Sequence, residues 1–189
     1  DTVVMRRALE YARPFGLPVL LRPAEPLLEV DGTMHEGDVS LRVGLRGVPA
    51  LAEELGVARI VGLARLTGAA VHLTHVTTAR ALDLVARAKA DGLPVTASAP
   101  ARSLLLTDVE IEARGYDPNL RVMPPLRPES DRAAMVSALR AGVLDALISD
   151  HVPWTRADKE LEFAWAQPGA CGLASAALAS MTALDGDVY

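Results

Sequence analysis

Four short apolar segments recur along this chain, at 17–21, 71–76, 95–99 and 144–149, and each is followed by residues of a different period. Each segment is too short for a helix and too continuous for a strand with one wet face, so a strand covered on both faces is expected. Between and around them lie helical patterns. Residues 2–13 place Val4, Ala8, Tyr11 and Ala12 at helical spacing until Pro14 and Gly16 stop the run. Residues 49–66 start on Pro49 and end at Gly68, the Pro-first, Gly-last asymmetry of a helix. Residues 78–90 turn Leu82, Val85 and Ala86 inward before Gly92, residues 129–140 end at Gly142, and 172–184 read as a closing helix. A polar loop with an Asp31-Gly32 turn and an irregular stretch over 115–128 complete the pattern. Alternating strands and helices give an α/β fold with a parallel sheet, doubly wound or part of a barrel. Either version puts functional groups at the carboxyl ends of its strands.

Composition removes several functions. The 189 residues are half apolar, enough for one sizeable core, and a single domain over 1–189 is expected. A net charge of −5 with dispersed basic residues argues against a nucleic-acid footprint. Cys171 is the lone cysteine, which excludes an intrachain disulfide and a cysteine-based zinc site and suits a reducing, cytoplasmic setting. No apolar run reaches the ~18–20 residues of a membrane span. No Gly-rich phosphate loop follows any strand. The first residue is Asp1 and not Met, as expected for a piece of something longer.

The strand ends carry Arg22, His75, Ser98, and Asp150 with His151. An imidazole and a carboxylate on neighbouring strand tips can bind a divalent metal, and the Asp can take a proton from metal-bound water. The bland alternatives are a hydrogen-bonded His and an Asp that forms a turn or caps a helix.

These residues sit in segments that resemble the dihydroorotases. His72-Leu73-Thr74-His75-Val76-Thr77-Thr78 is similar to that family's sixth-strand "HxxHVST". Tyr116-Asp117-Pro118-Asn119, Pro124-Pro125-Leu126-Arg127 and Asp131-Arg132 resemble its "YDxN…NPPLR…DR". The run Asp145 to Pro153 is similar to its eighth strand, "DaIaTDHAPH", and Gly169, Gly172 and Leu173 match "fGivGLEtaLpl". Met5 to Ala12 and Glu36-Gly37 resemble the helix before the fifth strand and the "nEG" segment. The resemblance implies the C-terminal half, about strands five to eight, of a TIM-type (β/α)8 metallo-dependent hydrolase barrel, with strands one to four outside this chain. It also implies zinc-dependent hydrolysis and closure of a cyclic amide, with His75 and Asp150 as ligands, Asp150 as acid/base, and Arg127 and His151 near substrate.

Departures from the family pattern fall on the chemistry. Arg22 stands where the fifth strand should carry a metal-binding His, and a guanidinium has no lone pair to donate. At 4 Å and an effective dielectric of 20 it would repel a dication by about 8 kcal/mol. Ser98, Arg102 and Ser103 fall in a segment where the family has "EvTPHH"; Met123 replaces a substrate Asn, Trp154 a His and Ala174 a Glu. The expected outcome is a degraded site in which Arg22 pairs with His75 and Asp150, Trp154 plugs the pocket mouth and Met123 its floor. On that reading no cofactor is bound, and the resemblance implies a scaffold role, as a homo-oligomer or a subunit associated with aspartate transcarbamoylase. Two further readings stay open: an active zinc-dependent cyclic amidase, and a module in which Arg22, Arg102 and Arg127 hold a carboxylate or phosphate.

Overall fold

The computed structural model describes residues 1–184. Its elements run α1 (Thr2–Ala12), β1 (Val19–Leu21), α2 (Pro26–Glu29), β2 (Met34–His35), α3 (Asp38–Val43), β3 (Gly47–Val48), α4 (Leu51–Thr67), β4 (Val71–Leu73) and α5 (Ala79–Ala90). They continue with β5 (Val95–Pro100), α6 (Val109–Ala113), α7 (Glu129–Arg140), β6 (Ala146–Ile148), α8 (Arg156–Lys159) and α9 (Leu173–Leu184).

The four strands expected from the apolar runs form one parallel sheet in the order β1-β4-β5-β6. Leu20 lies beside His72, His72 beside Thr96, and Ser98 beside Ala146. Strand side chains alternate between faces, so Val71, Leu73, Val95, Ala97 and Ala99 share one side. That side is the core: these residues are buried with Val57, Ile60 and Ala64 of α4, Leu82 and Val85 of α5, and Met135 of α7. Helix α4 lies so close to the chain after β1 that a Cβ on Gly56 would meet the Ala24 backbone nitrogen at 2.2 Å.

The opposite side differs from the expectation of strands covered on both faces. Leu20 is 65% exposed and Thr96 is also exposed, so within this chain the opposite face is bare around β1 and the start of β5. β1 and β6 each have one neighbour, leaving two sheet edges unpaired among the described residues. Apolar residues collect on the helices that flank those edges. On α1 the buried residue is Leu9, whereas Val4 and Tyr11 of the expected stripe are exposed. On α9, Leu173, Leu178 and Met181 are exposed.

Residues 26–48 depart from a plain polar loop. They fold as α2, β2, α3 and β3, and Met34 and Val39 build a second core with Ile111, Leu120, Val122, Leu126 and Phe163. This small core supports the irregular stretch that precedes α7.

Candidate functional site

Two residues at strand ends hold a left-handed backbone that side chains with a Cβ rarely adopt: His75 after β4 (φ 62°) and Asp150 after β6 (φ 45°). The bend turns both side chains toward each other, and His75 Nε2 lies 3.2 Å from Asp150 Oδ1. An ionised Asp150 only accepts, which puts the His75 proton on Nε2 and leaves Nδ1 as a lone pair. That Nδ1 is buried and has no hydrogen-bond partner among the described residues.

The cation beside this pair is Arg102 and not Arg22. Arg102 Nε is 3.7 Å from Asp150 Oδ2, and its Nη2 donates to the carbonyls of Asp150 (2.5 Å), Ala170 (3.3 Å) and Ser149 (3.4 Å). Arg22 turns away to Glu29, donating through Nη2 at 2.6 Å and Nη1 at 3.1 Å. The reason is local: α2 places Glu29 seven residues further along, where its carboxylate takes both Nη groups of Arg22.

Other candidates are engaged elsewhere. Arg127 is 2% exposed, with Nε donating to Thr77 Oγ1 (3.1 Å), Nη2 to Glu53 Oε2 (3.3 Å) and Nη1 to His35 Nδ1 (3.2 Å). Three of its five N–H groups are thus engaged within the fold. His35 must stay neutral to accept that bond, and burial together with the charge of Arg127 lowers its pKa to about 4. His151 accepts from Gly172 N (3.2 Å) and Leu173 N (3.4 Å), so its Nδ1 serves the first turn of α9. Arg22, Arg102 and Arg127 thus have three separate sets of partners and do not form one anion site.

Ser98 is buried, and its Oγ lies 2.9 Å from His72 Nε2, while His72 Nδ1 lies 2.8 Å from Thr96 Oγ1. Ser103 is buried and Met123 partly buried. Ala174 is exposed in the first turn of α9. Trp154 is 44% exposed, with Nε1 donating to Pro168 O at 2.9 Å.

Residues unnoticed in the sequence fix the loop after β6. Lys159 donates to the carbonyls of Pro118 (2.6 Å), Gly169 (2.8 Å) and Gln167 (2.9 Å). Arg121 donates to those of Ala164 (2.7 Å), Phe163 (3.5 Å) and Ala166. Burial lowers the pKa of both cations, with Arg121 adding to the effect on Lys159. Beside Arg102 a cavity of about 230 Å³ is lined by Leu120, Val122, Leu126, Ala170 and Ser175. It is below the ~300–1,000 Å³ of ordinary ligand pockets.

A metal test follows from this geometry. Structural zinc takes four ligands and catalytic zinc at least three from protein. Among the described residues no group of three or more His, Cys, Asp and Glu side chains converges. His75 and Asp150 supply two, and a guanidinium stands beside them. The donors among the described residues therefore do not make a zinc site by themselves.

No family model matches the chain. Among curated proteins it is 43% identical over 176 residues to a dihydroorotase of Anaeromyxobacter dehalogenans, covering 93% of this chain and 41% of that protein. A dihydroorotase of Syntrophus aciditrophicus is 40% identical over 185 residues, 98% of this chain and 43% of its own length. The chain thus spans about two fifths of the relatives it matches. In solved structures it resembles a D-hydantoinase from Thermus sp., with a TM-score of 0.83 and 23% identity over 99% of this chain and 42% of that one. The L-hydantoinase from Arthrobacter aurescens matches with a TM-score of 0.79, 20% identity, and coverage of 92% and 39%. The likeness in structure is one of fold, shared with part of the hydantoinase chains.

Proposed function

Starting from the chain's kinship with dihydroorotases along 93% of its length, we propose that it is a dihydroorotase-type half-barrel whose metal position has passed to a guanidinium. One observation carries this reading: Asp150, the residue that should serve metal and proton transfer, lies between His75 and Arg102. A carboxylate so held has its charge balanced, and a dication brought to the same place meets Arg102. The role that suits the chain is structural, within pyrimidine biosynthesis. Its partly bare inner sheet face, two unpaired edges and the apolar surfaces of α1 and α9 fit assembly with further strands. Those strands would come from the rest of the barrel. The completed body would act as a scaffold, alone as a homo-oligomer or beside an aspartate transcarbamoylase-type subunit, in a soluble cytoplasmic setting.

A second reading, an active zinc-dependent cyclic amidase, is favoured by the left-handed backbone kept at both His75 and Asp150. It needs ligands from beyond the described residues and a withdrawn Arg102.

Hydrolysis of dihydroorotate by the purified chain and its assemblies, with and without added zinc, separates the two. We expect a rate equal to that of Asp150→Ala. Turnover that Asp150→Ala abolishes would establish the second reading.

A further inference from the structure

Glu53 stands in the first turn of α4, where a carboxylate suits the helix dipole, yet it faces inward and is 2% exposed. A bare carboxylate cannot stay charged there, so its partners define what it does. It accepts from Thr77 N (2.8 Å), Thr77 Oγ1 (2.6 Å), Thr78 N (2.8 Å) and Thr78 Oγ1 (3.0 Å). Arg127 Nη2 adds a further bond at 3.3 Å, and Arg127 Nε reaches back to Thr77 Oγ1 at 3.1 Å. One residue further on, Asp131 of α7 accepts from Ala79 N at 2.8 Å. Three consecutive backbone N–H groups at the start of α5 are therefore held by carboxylates from the helices on either side.

His75 lies two residues before the first of them. Its left-handed backbone has a conformational cost that the surroundings must over-determine. Thr74 N donates to Leu21 O and Val76 N to Ser98 O, both at 2.9 Å, so with Thr77 and Thr78 also fixed the chain bends at His75, whose imidazole lies at Asp150. We propose that Glu53 and Arg127 are positioning residues: a buried ion pair, reaching from α4 and from the segment before α7, that sets the orientation of the His75 ring. This goes beyond the functional reading above, since it concerns how the ring is held whether or not a metal ever reaches it.

The chain has four histidines, so long-range 1H–15N correlation spectra of the imidazoles give four internal reporters. Spectra of the whole chain, recorded with EDTA present, are compared for wild type and Glu53→Gln. We expect the His75 signals to move by more than a line width and to lose the signature of a hydrogen-bonded Nε2. His35 should move with them through Arg127, while His72 and His151 stay. If Glu53→Gln does not fold, Thr78→Val, which removes one hydroxyl donor, decides by the same signals. Unmoved His75 signals in a folded variant of lower stability would overturn the proposal, leaving Glu53 as a lock of the fold. The experiment is blind to metal content and activity, so the half-barrel reading can fail without affecting it.

Discussion

The turn after β4 and the loop after β6 solve the same problem with opposite charges. Each begins at a strand end on a left-handed residue, His75 or Asp150. The β4 turn is held by carboxylates: Glu53 and Asp131 gather the N–H groups at the start of α5. The β6 loop is held by cations: Arg102, Arg121 and Lys159 gather backbone carbonyls. The carboxylates meet N–H groups that any helix start leaves unpaired, so this device belongs to the scaffold. Most of the carbonyls that receive the cations belong to an irregular loop whose own pairing is a single isolated bridge, His151 with Ala170. There one of the three cations, Arg102, also reaches the group on which chemistry would depend. The two regions thus differ in what their charges hold: the first device fixes a helix start, while the second also sets a guanidinium beside Asp150.

The largest expected effect breaks the first device. Arg127→Ala leaves Glu53 charged and buried without its cation, and should cost about 3–5 kcal/mol of unfolding free energy. Denaturant titration followed by circular dichroism checks it. A loss below about 1 kcal/mol, the range of an exposed pair, would mean that Glu53 needs only its threonine donors.

Acid probes the same device from His35. Its folded pKa is lowered to about 4 from 6.5, so between these values the unfolded chain binds a proton that the native chain refuses. Stability should then fall as pH drops from about 6.5 to about 4, by up to about 3 kcal/mol. Asp108 and Asp131, whose carboxyls burial raises, oppose this near the lower end of the range. Thermal melts across that window, with His35→Gln as the flattened control, measure the slope.

The smallest effect sharpens the contrast. Lys159→Met removes three donors from carbonyls that water can partly reach, for about 1 kcal/mol. The change should be local: faster amide exchange in residues 152–170, with the exchange of α5 unaltered. Equal acceleration in α5 would show that the two devices act as one.

Much of this fold was legible because it rests on local signals. The strand runs, Gly68, Gly92 and Gly142 are written in period and helix-stop chemistry, and 129–140 is reproduced to the residue. The meeting of His75 and Asp150 was also expected, although on neighbouring strands and not, as found, across β5. The partners were not. Arg22 was expected on that pair from its place at a strand end, and α2, which spans only Pro26–Glu29, is too short to leave a period, so Glu29 went unseen. Arg127 was placed near substrate from its position after Pro124-Pro125-Leu126, and its buried partners Glu53 and His35, 74 and 92 positions away, left no local signal. Glu53 itself looks like any acidic residue in a first helical turn until the fold turns it inward.

The central claim is that Asp150 is neutralised by Arg102 and not by a metal. Metal content tests it most directly, by plasma mass spectrometry on the intact chain and its assemblies after zinc exposure and removal of the excess. The account expects less than about a tenth of an equivalent, as for a site short of the three protein ligands zinc requires. About one equivalent or more, lost in both His75→Ala and Asp150→Ala, would contradict it.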